Sequence, residues 1–153
     1  AASDVYKRQV HDEASAFFGG LAGNAGLFST ARDVARVYQM LLNGGEIDGQ
    51  RYLSKETCQL FTTETSKISR RGLGFDKPDA DDPKKGNCAP AAPAEVYGHT
   101  GFTGTCAWVD PVNELVYVFL SNRIYPDVTN RKLNQLHIRE RIQGAIYDAM
   151  KKK

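Results

Sequence analysis

The chain has 153 residues, of which 41% are hydrophobic and 25% charged, and its formal net charge is +2. This length fits one domain or part of a larger one, and the composition excludes a disordered or fibrous protein. The basic residues are dispersed along the chain, which argues against a nucleic-acid partner. No apolar run reaches the roughly 18 residues of a membrane-spanning helix, so no membrane span is expected.

The three cysteines and three histidines do not form the spacing of a metal site. No C-x-x-C pair is present and the histidines complete no ligand pattern, so the sequence predicts no metal and no other cofactor. The cysteines are expected to be free thiols, buried or partly exposed. A disulfide between Cys88 and Cys106 stays open as an alternative, because the sequence alone cannot decide the pairing.

The first nine residues, AASDVYKRQ, differ in character from the rest of the chain. They contain no initiator Met and show no hydrophobic periodicity. They resemble the translated adapter sequence found at the broken ends of assembled metagenomic sequencing reads. We therefore predict that residues 1–9 are a non-native artefact and exclude them from the fold prediction. The expected domain covers residues 10–153.

The first half of that domain predicts helices. Residues 10–30 are rich in Gly and Ala and predict a tightly packed irregular segment. Ser29 is the expected N-cap of an amphipathic helix that ends at Gly44. Its apolar face consists of Val34, Val37, Tyr38, Leu41 and Leu42. Ser54 is the expected cap of a shorter helix over residues 55–64.

A short strand and a long loop are predicted next. The strand is RGLGF, residues 71–75, and the loop is the polar, Pro-rich run of residues 76–95. A loop of about 20 residues in a compact domain is usually functional or mobile. Two alternatives stay open for it, a plain surface insertion or a rim element over a site.

The second half predicts an antiparallel meander and a closing helix. β-branched and aromatic residues mark three strands, with turn residues at Pro111–Glu114, and the strands span residues 96–100, 105–110 and 115–121. A helix over residues 136–150 carries an apolar stripe, and its members are Ile138, Ile142, Ile146 and Met150. The predicted fold class is α+β: an antiparallel sheet of three consecutive strands flanked by helices, with the last helix packed on it.

The stretch GHTGFTG, which opens this meander, has glycine at every third position: Gly98, Gly101 and Gly104. Glycine weakens a strand, and it often marks a place where a ligand or another backbone approaches closely. This stretch is therefore the candidate site.

Two blocks of the sequence carry a resemblance to a known family. The first block, GGLAGNAGLFSTARDVARVYQMLLNGG, resembles a Gly-rich segment that leads into a helix. The second block, YGHTGFTGTCAWVDPVNELVYVFLSNR, resembles an active-site strand followed by a hairpin. Together with the elements that connect them, these blocks cover nearly all of residues 10–153. The chain resembles the C-terminal half of a serine β-lactamase/penicillin-binding-protein-like hydrolase, of the class C β-lactamase and esterase branch. The resemblance implies a partial β-lactamase-like fold.

The resemblance also implies roles for residues 99–103. The third active-site motif of this family is Lys-Thr-Gly or His-Thr-Gly, on the strand that lines the catalytic cleft. Carried over, His99 and Thr100 bind the substrate and Gly101 gives it clearance. The backbone N–H of Phe102 donates to the oxyanion, and Thr103 completes the substrate-binding residues. The expected catalytic groups are therefore Phe102 and His99.

Histidine in place of lysine shifts the expected substrate class. A lysine is cationic at neutral pH, whereas the imidazole of a histidine ordinarily titrates near about 6.5 and is mostly neutral. Tight binding of a carboxylate is therefore less favoured. This favours esterase or D-amino-acid peptidase activity over β-lactamase activity.

The nucleophile motif of the family is not found in the chain. No lysine follows a serine by three residues, and no Tyr-x-Asn or Ser-x-Asn occurs. A serine needs a neighbouring base, so both are expected in a missing N-terminal half, and this chain alone is expected to be inactive. The resemblance implies that the whole protein is a serine hydrolase that attacks an ester, amide or β-lactam through an acyl-enzyme.

Two alternatives to a catalytic protein remain. One is a non-catalytic module with the same fold, used for peptidoglycan binding or fused to another enzyme such as a glycosidase. The other is an unrelated α+β interaction domain. The resemblance implies a small-molecule or peptidoglycan-type substrate and a periplasmic or other extracytoplasmic location, while the sequence does not determine the substrate itself or the oligomeric state.

Overall fold

The computed structural model describes residues 10–20, 22–63, 66–79, 81–82 and 86–151. The predicted artefact at residues 1–9 lies outside the described residues. The chain divides into two compact units, residues 1–30 and residues 31–153. The predicted meander and its closing helix both belong to the second unit.

The described residues of the first unit form one short helix, α1 (Glu13–Phe17). Asp12 caps it, because its carboxylate accepts a hydrogen bond from the Ser15 backbone N–H at 2.7 Å. The side chain of Asn24 also donates to Asp12, which ties the helix to the Gly-rich run. The prediction of tight packing is wrong for the large apolar side chains here, since Phe17, Phe18 and Leu27 are exposed.

The second unit begins with helix α2 (Ala31–Leu42). It starts one residue later than predicted, so Ser29 does not occupy the capping position. The predicted glycine stop is confirmed: the N–H of Gly44 donates to Leu41 and that of Gly45 to Met40, as in a Schellman motif. Val37 does not belong to the buried face, since 55% of its surface is exposed.

A small hairpin and a second helix follow. Strands β1 (Glu46–Ile47) and β2 (Gln50–Arg51) pair antiparallel. The two residues between them both have positive φ, as a type I′ turn requires. Helix α3 (Lys55–Thr62) is capped as predicted, because Ser54 Oγ accepts from the backbone N–H of Thr57 at 3.1 Å.

The main sheet has three antiparallel strands in the order β3-β4-β5, which confirms the predicted meander. Its strands are β3 (Tyr97–Thr100), β4 (Cys106–Asp110) and β5 (Leu115–Phe119). The predicted strand at residues 71–75 is wrong. In its place a single bridge joins Asp76 to Gly98, on the edge of β3 that faces away from β4. The glycines at 72 and 74 interrupt the extended backbone that a strand needs.

Two helices end the described chain, α4 (Lys132–Gln135) and α5 (Ile138–Met150). The packing of α5 on the sheet is confirmed, and Ile146 of the predicted stripe packs against the core. The fully buried residues of the helix are Arg139, Gln143 and Tyr147, whereas Ile142 and Met150 are each 38% exposed. The sheet and loop present polar groups to this helix. Tyr117 donates to the Arg139 carbonyl, and Tyr147 donates to Asp110.

The core lies between the sheet and α5. Cys88, Val96, Cys106, Trp108 and Tyr117 form it, and Ile146 of α5 packs against them. All three cysteines are free and buried, so the alternative disulfide is not formed. Burial raises the pKa of the Cys88 thiol to about 12 and that of Cys106 to about 11. None of the described helices is long and apolar enough to cross a membrane.

Buried residues anchor the long loop at two places. At its start, Asp76 accepts two hydrogen bonds from the Arg70 guanidinium, at 2.7 and 3.1 Å, and one from Asn87. Further along the loop, the buried N–H of Ala89 donates to Gln143 of α5 at 2.8 Å. The loop therefore ties the edge of β3 to the C-terminal helix.

Candidate active site

His99 lies on the face of the sheet that meets α2. Side chains alternate along a strand, so His99 shares its face with Tyr97. The Tyr97 ring contacts Phe75, with 5.3 Å between centroids, and Phe75 contacts Tyr38 of α2 at 6.2 Å. Trp108 lies on the opposite face, with the core beneath α5.

The imidazole of His99 is partly exposed and has one hydrogen-bond partner among the described residues. Its Nδ1 lies 2.7 Å from the Thr100 carbonyl oxygen. Since a carbonyl only accepts, Nδ1 is the nitrogen that carries the proton in this contact. In the neutral ring Nε2 is then a hydrogen-bond acceptor, and in the charged ring it is a second donor.

The motif ends in a tight hairpin loop between β3 and β4. The N–H of Gly101 donates to the Thr105 carbonyl at 2.8 Å, and the N–H of Gly104 donates to the Gly101 carbonyl at 3.0 Å. Gly104 has φ +99, and neither Phe102 nor Thr103 has a positive φ. This is the pattern of a three-residue loop, a type I turn followed by a left-handed residue. We name residues 101–104 the motif turn.

The three regularly spaced glycines have packing reasons within this chain. A Cβ at Gly98 would collide with the Ala107 carbonyl and stand 2.7 Å from the Trp108 ring. A Cβ at Gly101 would collide with the Thr105 side chain. Gly104 needs its left-handed backbone. The glycines therefore shape the hairpin, and the role of Gly101 in substrate clearance stays a prediction.

Asp76 fixes the outer edge of β3 next to the motif. Its backbone exchanges two hydrogen bonds with Gly98, at 2.8 and 3.1 Å. Burial by itself raises the pKa of the Asp76 carboxyl, but the hydrogen bonds from Arg70 and Asn87 outweigh it, so the net pKa is below the usual value. The carboxylate thus stays charged at neutral pH and holds the strand edge.

A groove of about 540 Å³ lies away from the motif. It is lined by the end of α2, by α3 and by the start of β3, with Cys58, Lys77 and Tyr97 among its residues. The Lys77 ammonium donates to the carbonyls of Thr62 and Glu95, at 3.2 and 3.1 Å. None of the residues 99–103 lines this groove, so it is separate from the candidate site.

Arg123 is a contact of the motif that the sequence analysis did not single out. Its side chain reaches Phe102, 21 residues earlier, where Nε donates to the carbonyl at 2.7 Å. An arginine beyond the end of a predicted strand gives no signal of such a contact. Only the return of β5 alongside β4 brings it to the motif turn.

The sequence profile of the Beta-lactamase family matches residues 2–140. The chain belongs to the β-lactamase family. This confirms the resemblance inferred from the two sequence blocks.

Relatives within the family carry the name putative D-alanyl-D-alanine carboxypeptidase. The protein from Escherichia coli O157:H7 is 39% identical over 128 residues, and that from strain K12 is 38% identical. The protein from Salmonella agona is 37% identical over 127 residues. Each alignment covers 82% of this chain and 29% of the relative, so the chain spans 29% of the length of these curated relatives.

A solved structure shares the fold of this β-lactamase-family chain. The crystal structure of a penicillin-binding protein homolog from Caulobacter crescentus matches with a TM-score of 0.50 and 26% identity. The match covers 61% of this chain and 26% of that one. It supports the predicted α+β, β-lactamase-like architecture. The roles of residues 99–103 at a substrate stay predictions.

Proposed function

We propose that this chain supplies one wall of the acyl-transfer site of a serine hydrolase. The observation that carries the proposal is the position of the His-Thr-Gly motif in a β-lactamase-family chain. The motif lies at the end of an edge strand and runs directly into a turn held by hydrogen bonds. A rigid backbone beside a nucleophile is what stabilisation of a tetrahedral oxyanion needs.

The backbone of β3 supports a donor at Phe102. Gly98 exchanges its hydrogen bonds with Asp76 on the outer edge, whereas the N–H of Gly101 points inward to Thr105. Because backbone groups alternate in direction along a strand, we expect the N–H of Thr100 to point to the outer edge. Phe102 lies in the motif turn, where the Gly101 carbonyl accepts from Gly104. Across the planar trans peptide, the N–H of Phe102 points away from that carbonyl. The proposed oxyanion donor is the N–H of Phe102.

The side chains of the motif have complementary proposed roles. His99 offers Nε2 to the substrate on the α2 face, and Thr100 and Thr103 offer hydroxyl groups near the strand end. An extended acyl chain can pair with the outer edge of β3, as peptides do with exposed sheet edges. The names of the relatives favour a peptidoglycan-type substrate with a D-alanyl terminus, within the broader class of esters, amides and β-lactams.

The nucleophile is proposed to lie outside this chain. The family motif Ser-x-x-Lys does not occur in the sequence. The isolated chain is therefore expected to form no acyl-enzyme with a fluorescent penicillin, while the full-length protein that contains it is labelled at a serine. A full-length protein that carries no Ser-x-x-Lys and takes no label would favour the non-catalytic module instead.

The test of the donor is proline at position 102 in the full-length protein. Phe102→Pro removes the backbone N–H, and proline suits the second position of a type I turn. Phe102→Ala is the matched control, because it removes the ring and keeps the N–H. We expect Phe102→Pro to lower kcat roughly 100- to 1,000-fold relative to Phe102→Ala. Equal kcat values in two folded variants would refute the donor role.

His99→Ala tests the side-chain role separately. We expect a clear loss of kcat/KM with the melting temperature unchanged. A variant altered only in stability would support the non-catalytic module of the same fold.

A further inference from the structure

Arg123 contacts the motif turn at three places. Its Nε donates to the Phe102 carbonyl at 2.7 Å, and its guanidinium carbon lies 4.5 Å from the centre of the Phe102 ring. Its backbone N–H donates to the Thr103 carbonyl at 3.0 Å. Its Cγ lies so close to Gly104 that a Cβ there would be only 3.3 Å away. One residue from beyond β5 thus contacts three of the four residues of the turn.

These contacts complete the fixation of the peptide planes around Phe102. The plane before its Cα is held by the hydrogen bond from Gly104 to the Gly101 carbonyl. The plane after its Cα is held by the Arg123 side chain. The N–H of Phe102 lies in the first of these planes, together with the Gly101 carbonyl. The second plane sets the position of Thr103 and Gly104, and the N–H of Gly104 holds the Gly101 carbonyl. The orientation of the Phe102 N–H therefore depends on the guanidinium through the closure of the turn.

The Arg123 cation suits the fixation of the Phe102 peptide planes better than a neutral side chain would. A guanidinium is charged at every working pH, donates in a fixed plane and stacks on an aromatic ring. Here it uses the ring and the carbonyl of the same residue, and its Nη1 also reaches the Val128 carbonyl at 3.4 Å. The segment that follows β5 is thereby connected to the motif turn.

We propose that Arg123 is a positioning residue that aims the Phe102 N–H at the oxyanion of the acyl-transfer reaction. The inference rests on the proposed function and adds a second segment of the chain to that site. Arg123 acts through Phe102 and does not itself touch the substrate. Removal of the Arg123 side chain should therefore lower kcat more than it raises KM. A Phe102 N–H that points in the wrong direction weakens binding of the transition state more than binding of the substrate.

The experiment uses the full-length protein with a p-nitrophenyl ester for kinetics and a fluorescent penicillin for acylation. Arg123→Met keeps the methylene packing and removes the donor and the charge, whereas Arg123→Lys keeps a cation and a donor. We expect Arg123→Met to lower kcat roughly 10- to 100-fold with KM changed less than about threefold. Arg123→Lys should recover most of that loss.

Arg51→Met is the matched control. Arg51 also donates to two backbone carbonyls, those of Gly44 and Leu53. It pairs with Glu46 of β1 as well, so these contacts belong to the small hairpin rather than to the motif turn. The change should alter the melting temperature without altering kcat. If Arg123→Met unfolds below the assay temperature, Arg123→Gln takes its place in the same comparison.

The outcomes separate the two proposals. A wild-type protein that takes no label and hydrolyses no ester overturns the proposed function. A wild type that is active, with Arg123→Met matching the kcat of Arg51→Met, overturns the role of Arg123 and leaves the proposed function standing. A selective fall in kcat that Arg123→Lys rescues supports both.

Discussion

Replacing Gly98 with alanine tests the packing between β3 and β4 directly. A Cβ at this position would overlap the Ala107 carbonyl and lie 2.7 Å from Cε3 and 2.8 Å from Cα of Trp108. Carbon atoms in contact are normally about 3.5–4.0 Å apart. Two of the three clashing atoms belong to the backbone of β4, so no side-chain rotation can relieve the overlap.

The expected loss of stability follows from this geometry. Overpacking a core typically costs about 1–3 kcal/mol, and a backbone clash belongs at the upper end of that range. We expect Gly98→Ala to reduce the free energy of unfolding by about 3 kcal/mol. With a urea m-value of about 2 kcal/mol per molar, the midpoint falls by about 1.5 M.

Urea unfolding followed by tryptophan fluorescence measures this loss. Trp108 is the single tryptophan of the chain and is 1% exposed, so its emission reports on the same contact. Gly144→Ala in α5 is the control. A Cβ there meets nothing within 4 Å, and alanine should stabilise the helix by about 0.5–1 kcal/mol. If Gly98→Ala unfolds within about 0.5 kcal/mol of the wild type, the described packing is refuted.

Three further predictions concern buried polar groups. Gln143→Leu should lower the free energy of unfolding by about 1–3 kcal/mol in urea, because the Ala89 N–H loses its acceptor. The pKa of the Asp76 carboxyl is lower in the folded chain than in the unfolded chain. The ionised carboxylate therefore stabilises the fold at pH values above its unfolded pKa of about 3.9, and this stabilisation is lost as the pH falls through the folded pKa. Asp76→Asn should therefore flatten the acid limb of the stability curve. The Cys88 thiol, with a pKa of about 12, should resist iodoacetamide at pH about 8 until the chain unfolds.

Each of these three predictions has its own control or contradicting outcome. Gln59→Leu, on the exposed side of α3, should change the unfolding midpoint little, and an equal effect of Gln143→Leu would show that its hydrogen bond is not made. An unchanged acid limb in Asp76→Asn would mean that the carboxylate titrates alike in the folded and unfolded chain. Rapid alkylation of Cys88 under native conditions, read by mass spectrometry, would contradict its burial.

Local chemistry made several elements predictable. The Ser54 cap, the Gly44 stop and the strand–turn–strand pattern around Pro111 each depend on residues within a few positions of one another. Hydrogen bonds of that range form in the same way wherever the segment lies in the fold. The α+β class followed from the order of those elements, and the candidate motif followed from its residues and its resemblance to a family.

Long-range contacts decided what the sequence could not. The apolar spacing in α5 predicted an isoleucine stripe, yet Gln143 is buried because the loop presents the Ala89 N–H to it, 54 residues away. Arg123 gave no signal, because its partner Phe102 is brought near only by the pairing of β4 with β5. The sequence by itself thus determined the main helices, the three-stranded meander and the motif. The tertiary structure decided which faces are buried and what holds the motif turn, because a buried polar group is stable only where a distant segment supplies its partner.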